Sequence, residues 1–134
     1  MKVSSVEIAF RRNAFVEKSI VFDELIGSGT QFKMGEENSL LFSCLRKKLK
    51  IRFEPKEIAD LHIGESTWFN GYTDDYFVGR GAAFASMSRL FSFLLILQFA
   101  VRKYKRYRKD CSFIRAIKMM NEGKKRYIKM KRGG

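Results

Sequence analysis

Apolar and polar positions recur with different periods along this chain, and the change of period falls near residue 73. Residues 3–10 are rich in β-branched side chains and end at Arg11, Arg12 and Asn13, which predicts a strand. Residues 19–25 predict a second, short extended piece. It runs into Gly27-Ser28-Gly29-Thr30, where two glycines permit sharp turns, and the loop continues to Gly35. Beyond it Leu40, Leu41, Cys44, Leu45 and Leu49 recur every three or four residues, which predicts a helix opened by Glu36-Glu37-Asn38-Ser39. Arg46, Lys47, Lys48 and Lys50 crowd the far end, where cations match the negative pole of a helix.

Lys50, Arg52 and Glu54 then alternate with Leu49, Ile51 and Phe53, the pattern of a half-buried strand, and Pro55 stops it. Residues 57–63 predict one more. From Thr73 onward the pattern is helical, with a break near Asp110 and a last helix from Ser112 to about Ile128. The expected fold class is therefore α+β. A few-stranded mixed sheet with one packed helix would occupy residues 1–72, and an amphipathic helical region residues 73–134.

Charge sharpens the division. The 134 residues carry a net charge of +13. Residues 1–55 hold ten basic and seven acidic groups, residues 56–99 three and five, and residues 100–134 fourteen and two. A basic tail thus follows a near-neutral body, which argues against a uniformly basic nucleic-acid binder. The tail starts where the longest apolar run, residues 90–101, ends. Twelve helical residues cover roughly 18 Å against a hydrocarbon core of about 30 Å. Extending the run back to Gly81 brings Arg89 inside it.

An in-plane helix fits better than a span. Phe91, Phe93, Leu94 and Leu97 would enter the lipid, with Arg102, Lys103, Lys105 and Arg106 on anionic headgroups. The competing expectation is a buried helix of a bundle. A nucleic-acid-binding tail ranks last, on Tyr104 and Tyr107 interleaved with basic residues. The positive-inside rule puts the tail on the cytoplasmic side, and no signal peptide is expected after Met1. Two cysteines give neither a disulfide framework nor metal-ligand spacing, which suits a reducing compartment.

The candidate chemistry lies in the first half. Glu36 and Glu37 open a helix directly after a glycine-rich loop, where unpaired N–H groups and the helix dipole favour a carboxylate. A charged carboxylate at the mouth of a flexible loop suits a general base that takes a proton from a hydroxyl; ordinary helix capping explains the same residues. The single histidine, His62, stands three residues before Glu65, Ser66 and Thr67. It is read either as a structural residue or as a metal or phosphate contact, with Ser66 and Thr67 as anion contacts.

In this order the segments resemble the C-terminal half of family 2 glycosyltransferases, GT-A-type enzymes of bacterial capsule and exopolysaccharide assembly. The matching residues are Val6-Glu7-Ile8-Ala9-Phe10-Arg11-Arg12, Phe22-Asp23-Glu24 with Gly27 and Gly29, and Gly35-Glu36-Glu37-Asn38. They continue with Lys50-Ile51-Arg52-Phe53-Glu54-Pro55, His62 with Glu65-Ser66-Thr67, and the C-terminal stretch containing Gly123 and Tyr127. The resemblance implies a partial GT-A-like fold. It implies that Glu37, or Glu36, deprotonates an acceptor sugar hydroxyl for attack on a nucleotide sugar. Gly27, Gly29, Gly35, His62, Ser66 and Thr67 would line the substrate site, His62 near the donor diphosphate or its metal.

The family's donor half carries an Asp-x-Asp pair that holds Mg²⁺ or Mn²⁺, and nothing here supplies it; Asp74-Asp75 lies on the wrong side of the base. By itself the chain is expected to bind no cofactor and to be inactive. It would meet nucleotide sugar and saccharide acceptor through a separate N-terminal half, peripherally on the inner face of a bacterial membrane. Alone it is expected to be marginal, oligomeric or membrane-adsorbed. The alternative reading is a non-enzymatic, basic membrane-surface protein.

Overall fold

The computed structural model describes residues 7–56, 69 and 71–133. Among them five helices follow in order: α1 (Arg12–Glu17), α2 (Glu36–Arg46), α3 (Asp74–Met87), α4 (Ser92–Tyr107) and α5 (Phe113–Gly133).

The centre of the molecule is α3, which packs against α2, α4 and α5. Its start follows from Thr73, whose hydroxyl oxygen accepts a hydrogen bond from the Tyr76 N–H at 3.3 Å, and from Asp74 and Asp75 in the first turn. Its sequence is dominated by glycine, alanine and phenylalanine, and nearly all of its second half is buried. The small residues permit backbone-to-backbone approach. A Cβ on Gly81 would lie 1.8 Å from the Met120 carbonyl oxygen of α5, and a Cβ on Gly123 of α5 would lie 1.9 Å from the Val78 carbonyl oxygen of α3. The two helices meet glycine against backbone, reciprocally.

Around this contact the main core gathers Phe77, Phe84, Met87, Ile96, Ala100, Tyr107 and Met120. A second cluster joins Ile26 and Phe32 of the glycine loop to Ala82, Ala85 and Tyr127. Ile20, Leu40 and Cys44, with Phe15 and Leu49 against them, hold α2 to the α1 region.

Extended back to Gly81, the apolar stretch is not one helix. Ser88 adopts extended backbone, and its hydroxyl oxygen accepts from the Phe91 N–H at 3.2 Å, turning the chain between α3 and α4. The carbonyls left free at the end of α3 are met from another helix. The Arg46 guanidinium donates to Met87 O at 3.1 Å and Ser86 O at 3.4 Å. Arg46 therefore serves the α3 terminus as well as its own. Lys47 likewise reaches out, donating to the carbonyls of Lys18 and Ser19 at the end of α1. The break expected near Asp110 is present, and Ser112 caps α5 by accepting from the Arg115 N–H at 3.3 Å.

The α+β expectation, and with it the partial GT-A-like sheet, is overturned. Among the described residues there is no strand, only an isolated parallel bridge between Ile26 and Phe32. Of residues 11–13, expected to end a strand, Arg12 and Asn13 open α1 instead. Residues 19–25 and 49–54 form no ladder, and residues 57–63 lie outside the described region. The physical reason is that alternation stabilises a strand only when a neighbouring strand accepts its hydrogen bonds and side chains. Helices close their bonds locally, so they form without such a neighbour.

The reciprocal glycine contact sets a clear expectation. Gly81→Ala or Gly123→Ala should destabilise the fold by about 3 kcal/mol or more through overpacking against backbone. Gly133→Ala, where nothing lies within 4 Å, should shift stability by less than about 0.5 kcal/mol. Thermal melts followed by far-UV circular dichroism compare the three.

Candidate active site

The loop before α2 is tightly cinched. The Gly27 N–H donates to Phe32 O at 2.8 Å and the Phe32 N–H to Leu25 O at 3.0 Å. The Thr30 hydroxyl donates inward to the carbonyls of Leu25 and Gly27 at 3.0 and 2.9 Å. The flexible mouth expected from the sequence is thus a closed ring braced by its own backbone and the Thr30 hydroxyl.

Two of its glycines are required by geometry. Gly27 has φ +129°, and a Cβ there would sit 2.0 Å from a Glu36 carboxylate oxygen. Gly35 has φ +90° as the residue preceding α2, with Ala83 of α3 only 2.6 Å from where its Cβ would be. The first turn of α2 is consequently seated on α3 through Gly35 and Ala83.

This seating separates the roles of the two acids. The Glu36 carboxylate folds back over Gly27 and accepts from the Ser28 N–H at 3.2 Å, holding the ring. Glu37, half-buried on the same turn, has no hydrogen-bond or ion-pair partner for its carboxylate among the described residues. The structure therefore brings Gly27, Gly35, Glu36 and Glu37 together. Gly29 takes φ +77° at the open side of the ring. His62, Ser66 and Thr67 lie outside the described residues. Among the described residues no cluster of three or more His, Cys, Asp or Glu could hold a metal ion.

A second polar cluster escaped the reading of the sequence. The Tyr127 hydroxyl of α5 donates a short hydrogen bond to an Asp23 carboxylate oxygen; the other oxygen accepts from the Leu25 N–H at 3.1 Å and lies 3.3 Å from Lys131 Nζ. This clasp anchors the start of the ring to α5 across 104 residues of sequence. Burial and the Asp23 carboxylate push the Tyr127 hydroxyl well above the ordinary tyrosine range. No spacing rule links positions so far apart. Asp74 is engaged in a two-pronged ion pair with Arg115, at 2.6 and 3.0 Å, whose hydrogen bond lowers the Asp74 carboxyl.

The residues expected to contact a membrane fall on α4 and its approach. Phe91, Phe93, Leu94 and Leu97 are exposed. Leu94, Leu97 and Val101, at helical spacing on α4, form one stripe between 48 and 60% exposed, and Leu90 in the turn before it is exposed too. The stripe is distinct from the face carrying Ile96, Ala100 and Tyr107, which is buried in the core. Arg102, Lys105 and Arg106 are exposed and Lys103 half-buried, without ion-pair partners among the described residues. Part of this run thus packs in the bundle and part faces out. Tyr107 is fully buried with its hydroxyl donating to Ala100 O at 2.8 Å, so it has no ring face to stack on a base.

The Asp23–Tyr127 clasp gives a pH expectation. Because folding raises the Tyr127 pKa above its unfolded value near 10, its contribution is complete below pH 10 and is lost as pH rises further and the hydroxyl ionises. Tyr127→Phe should cost about 1–3 kcal/mol at neutral pH and reduce the fall in stability above pH 10, both read from urea denaturation. No family model, curated protein or solved structure matches the chain.

Proposed function

We propose that this chain is the acceptor-side, base-bearing part of a nucleotide-sugar-dependent glycosyltransferase of bacterial surface-polysaccharide synthesis. It would work with a donor-binding polypeptide at the inner face of the cell membrane. The observation that carries the reading is the division between the two acids: Glu36 is spent on the glycine ring, while the carboxylate of Glu37, one residue on, has no partner among the described residues. A base needs such a free lone pair together with a fixed position, and the seat of Gly35 on Ala83 supplies the position. Glu37 would take the proton of an acceptor hydroxyl as that oxygen attacks the anomeric carbon. The leaving diphosphate would be met by the partner polypeptide and its Mg²⁺ or Mn²⁺.

The location rests on α4. No helix among the described residues is long and apolar enough to cross a membrane. The exposed stripe of Leu94, Leu97 and Val101 runs along the helix into exposed Lys105 and Arg108, an arrangement that suits a helix lying in the interface of an anionic bilayer. That face also supports the alternative reading, a membrane-surface protein without chemistry of its own.

Co-expression with a donor-binding polypeptide bearing an Asp-x-Asp pair should yield sugar transfer. Glu37→Gln should reduce it about 10²–10⁴-fold with the melting temperature retained. Full activity in that variant would remove Glu37 from the base role. For the location, the chain should sediment with phosphatidylserine-containing vesicles at low salt and be released at high salt. Leu94→Gln with Leu97→Gln should abolish sedimentation, and an unchanged bound fraction would refute an α4-mediated contact.

A further inference from the structure

A third feature belongs neither to the base nor to α4. Residues 50–54 lie outside any helix, turn or ladder, and every one of them is exposed. Their five N–H groups have no hydrogen-bond partner among the described residues; the neighbouring bonds are Leu49 N–H to Cys44 O and Lys56 N–H to Glu54 O. Arg52 and Glu54, two apart, are close enough to pair at 2.6 Å, which places them on one side of the chain as in a strand. Ile51 and Phe53 alternate with them and are 49 and 75% exposed. A strand-like segment whose backbone donors have no partner among the described residues, and whose apolar side is exposed, is a template for pairing with another chain.

The order of residues selects the occupant. We propose that a second copy of this chain pairs antiparallel with this segment about a two-fold axis at Arg52. In that register Lys50 stands opposite Glu54 of the partner subunit, and Ile51 opposite Phe53 of the partner subunit, each pair occurring twice. Opposite charges and a β-branched–aromatic pair are both favourable cross-strand neighbours. The one like-charged pair, Arg52 with its own counterpart, has Glu54 of its own chain within ion-pair distance. Pro55 lacks an N–H and ends the pairing. Such an interface is isologous and closes at two copies. It is independent of the proposed sugar transfer.

Sedimentation equilibrium of the full chain in detergent-free buffer tests the proposal. A concentration-dependent dimer is expected. Lys50→Glu alone and Glu54→Lys alone should each raise its Kd about tenfold by setting like charges opposite one another at two places. The double swap, Lys50→Glu with Glu54→Lys, should return the Kd to within about threefold of the starting value, because the pairs re-form with reversed sign. A misfolded variant would show no such rescue, and melting curves of the single swaps verify folding. A chain that stays monomeric overturns the proposal. So does a dimer indifferent to all three substitutions, which would place the contact on the exposed stripe of α4.

Discussion

The close approach of α3 and α5 is the constraint on which the rest depends. At Gly81 and Gly123 each helix presses a bare Cα against the other's carbonyl, a separation that no side chain allows. The same helix offers further small residues toward α2. Met34 packs over Gly79, and Gly35 sits against Ala83. The position of the acidic first turn of α2 is thus inherited from small residues on α3. Tyr127, one turn beyond Gly123 on α5, is brought within reach of Asp23 at the entrance of the ring by the same approach. Removing side-chain bulk from two helices sets the location of a loop and two carboxylates that are distant in sequence.

The ring itself shows how a glycine-rich segment can be rigid. Gly27 and Gly29 supply positive φ, but backbone bonds across the ring and the Thr30 hydroxyl close it. Glu36 completes the closure from the helix. An acid at a helix start is commonly explained by the dipole, which Glu36 and Glu37 both meet on the first turn of α2; Glu36 in addition accepts from a backbone donor outside its own helix, the Ser28 N–H. Glu37 makes no such bond among the described residues. The distinction between a carboxylate that holds structure and one left available is the argument for chemistry at this turn.

Helix α4 makes a related point about amphipathicity. Its sequence is apolar on more than one side, and the core uses only the side with Ile96, Ala100 and Tyr107. Leu90, Leu94, Leu97 and Val101 remain outside. Basic residues that follow on the same helix would be costly beside a buried protein partner and favourable beside anionic lipid. The exposed pair Ile51 and Phe53 in the first half shows that uncovered apolar surface is not confined to this helix.

Local order was largely legible in the residues themselves. The α2 register, the break near Asp110, the helical character after Thr73 and the acidic start after Gly35 all follow from short-range periodicity and capping, which a helix satisfies within one turn. Strands were not, because the alternation at Leu49 to Glu54 states only which side chains would share a face; a ladder needs a second chain segment to accept its bonds. The division of residues 81–101 into α3 and α4 was also hidden, since a mostly apolar stretch interrupted by Arg89 does not reveal a turn made by Ser88. Only tertiary structure decided which acid is engaged, which face of α4 is covered, and that Asp23 meets Tyr127. Each of these depends on how closely two helices approach, and that distance is set by the absence of side chains at Gly81 and Gly123, whose consequence is visible only once their partners are in place.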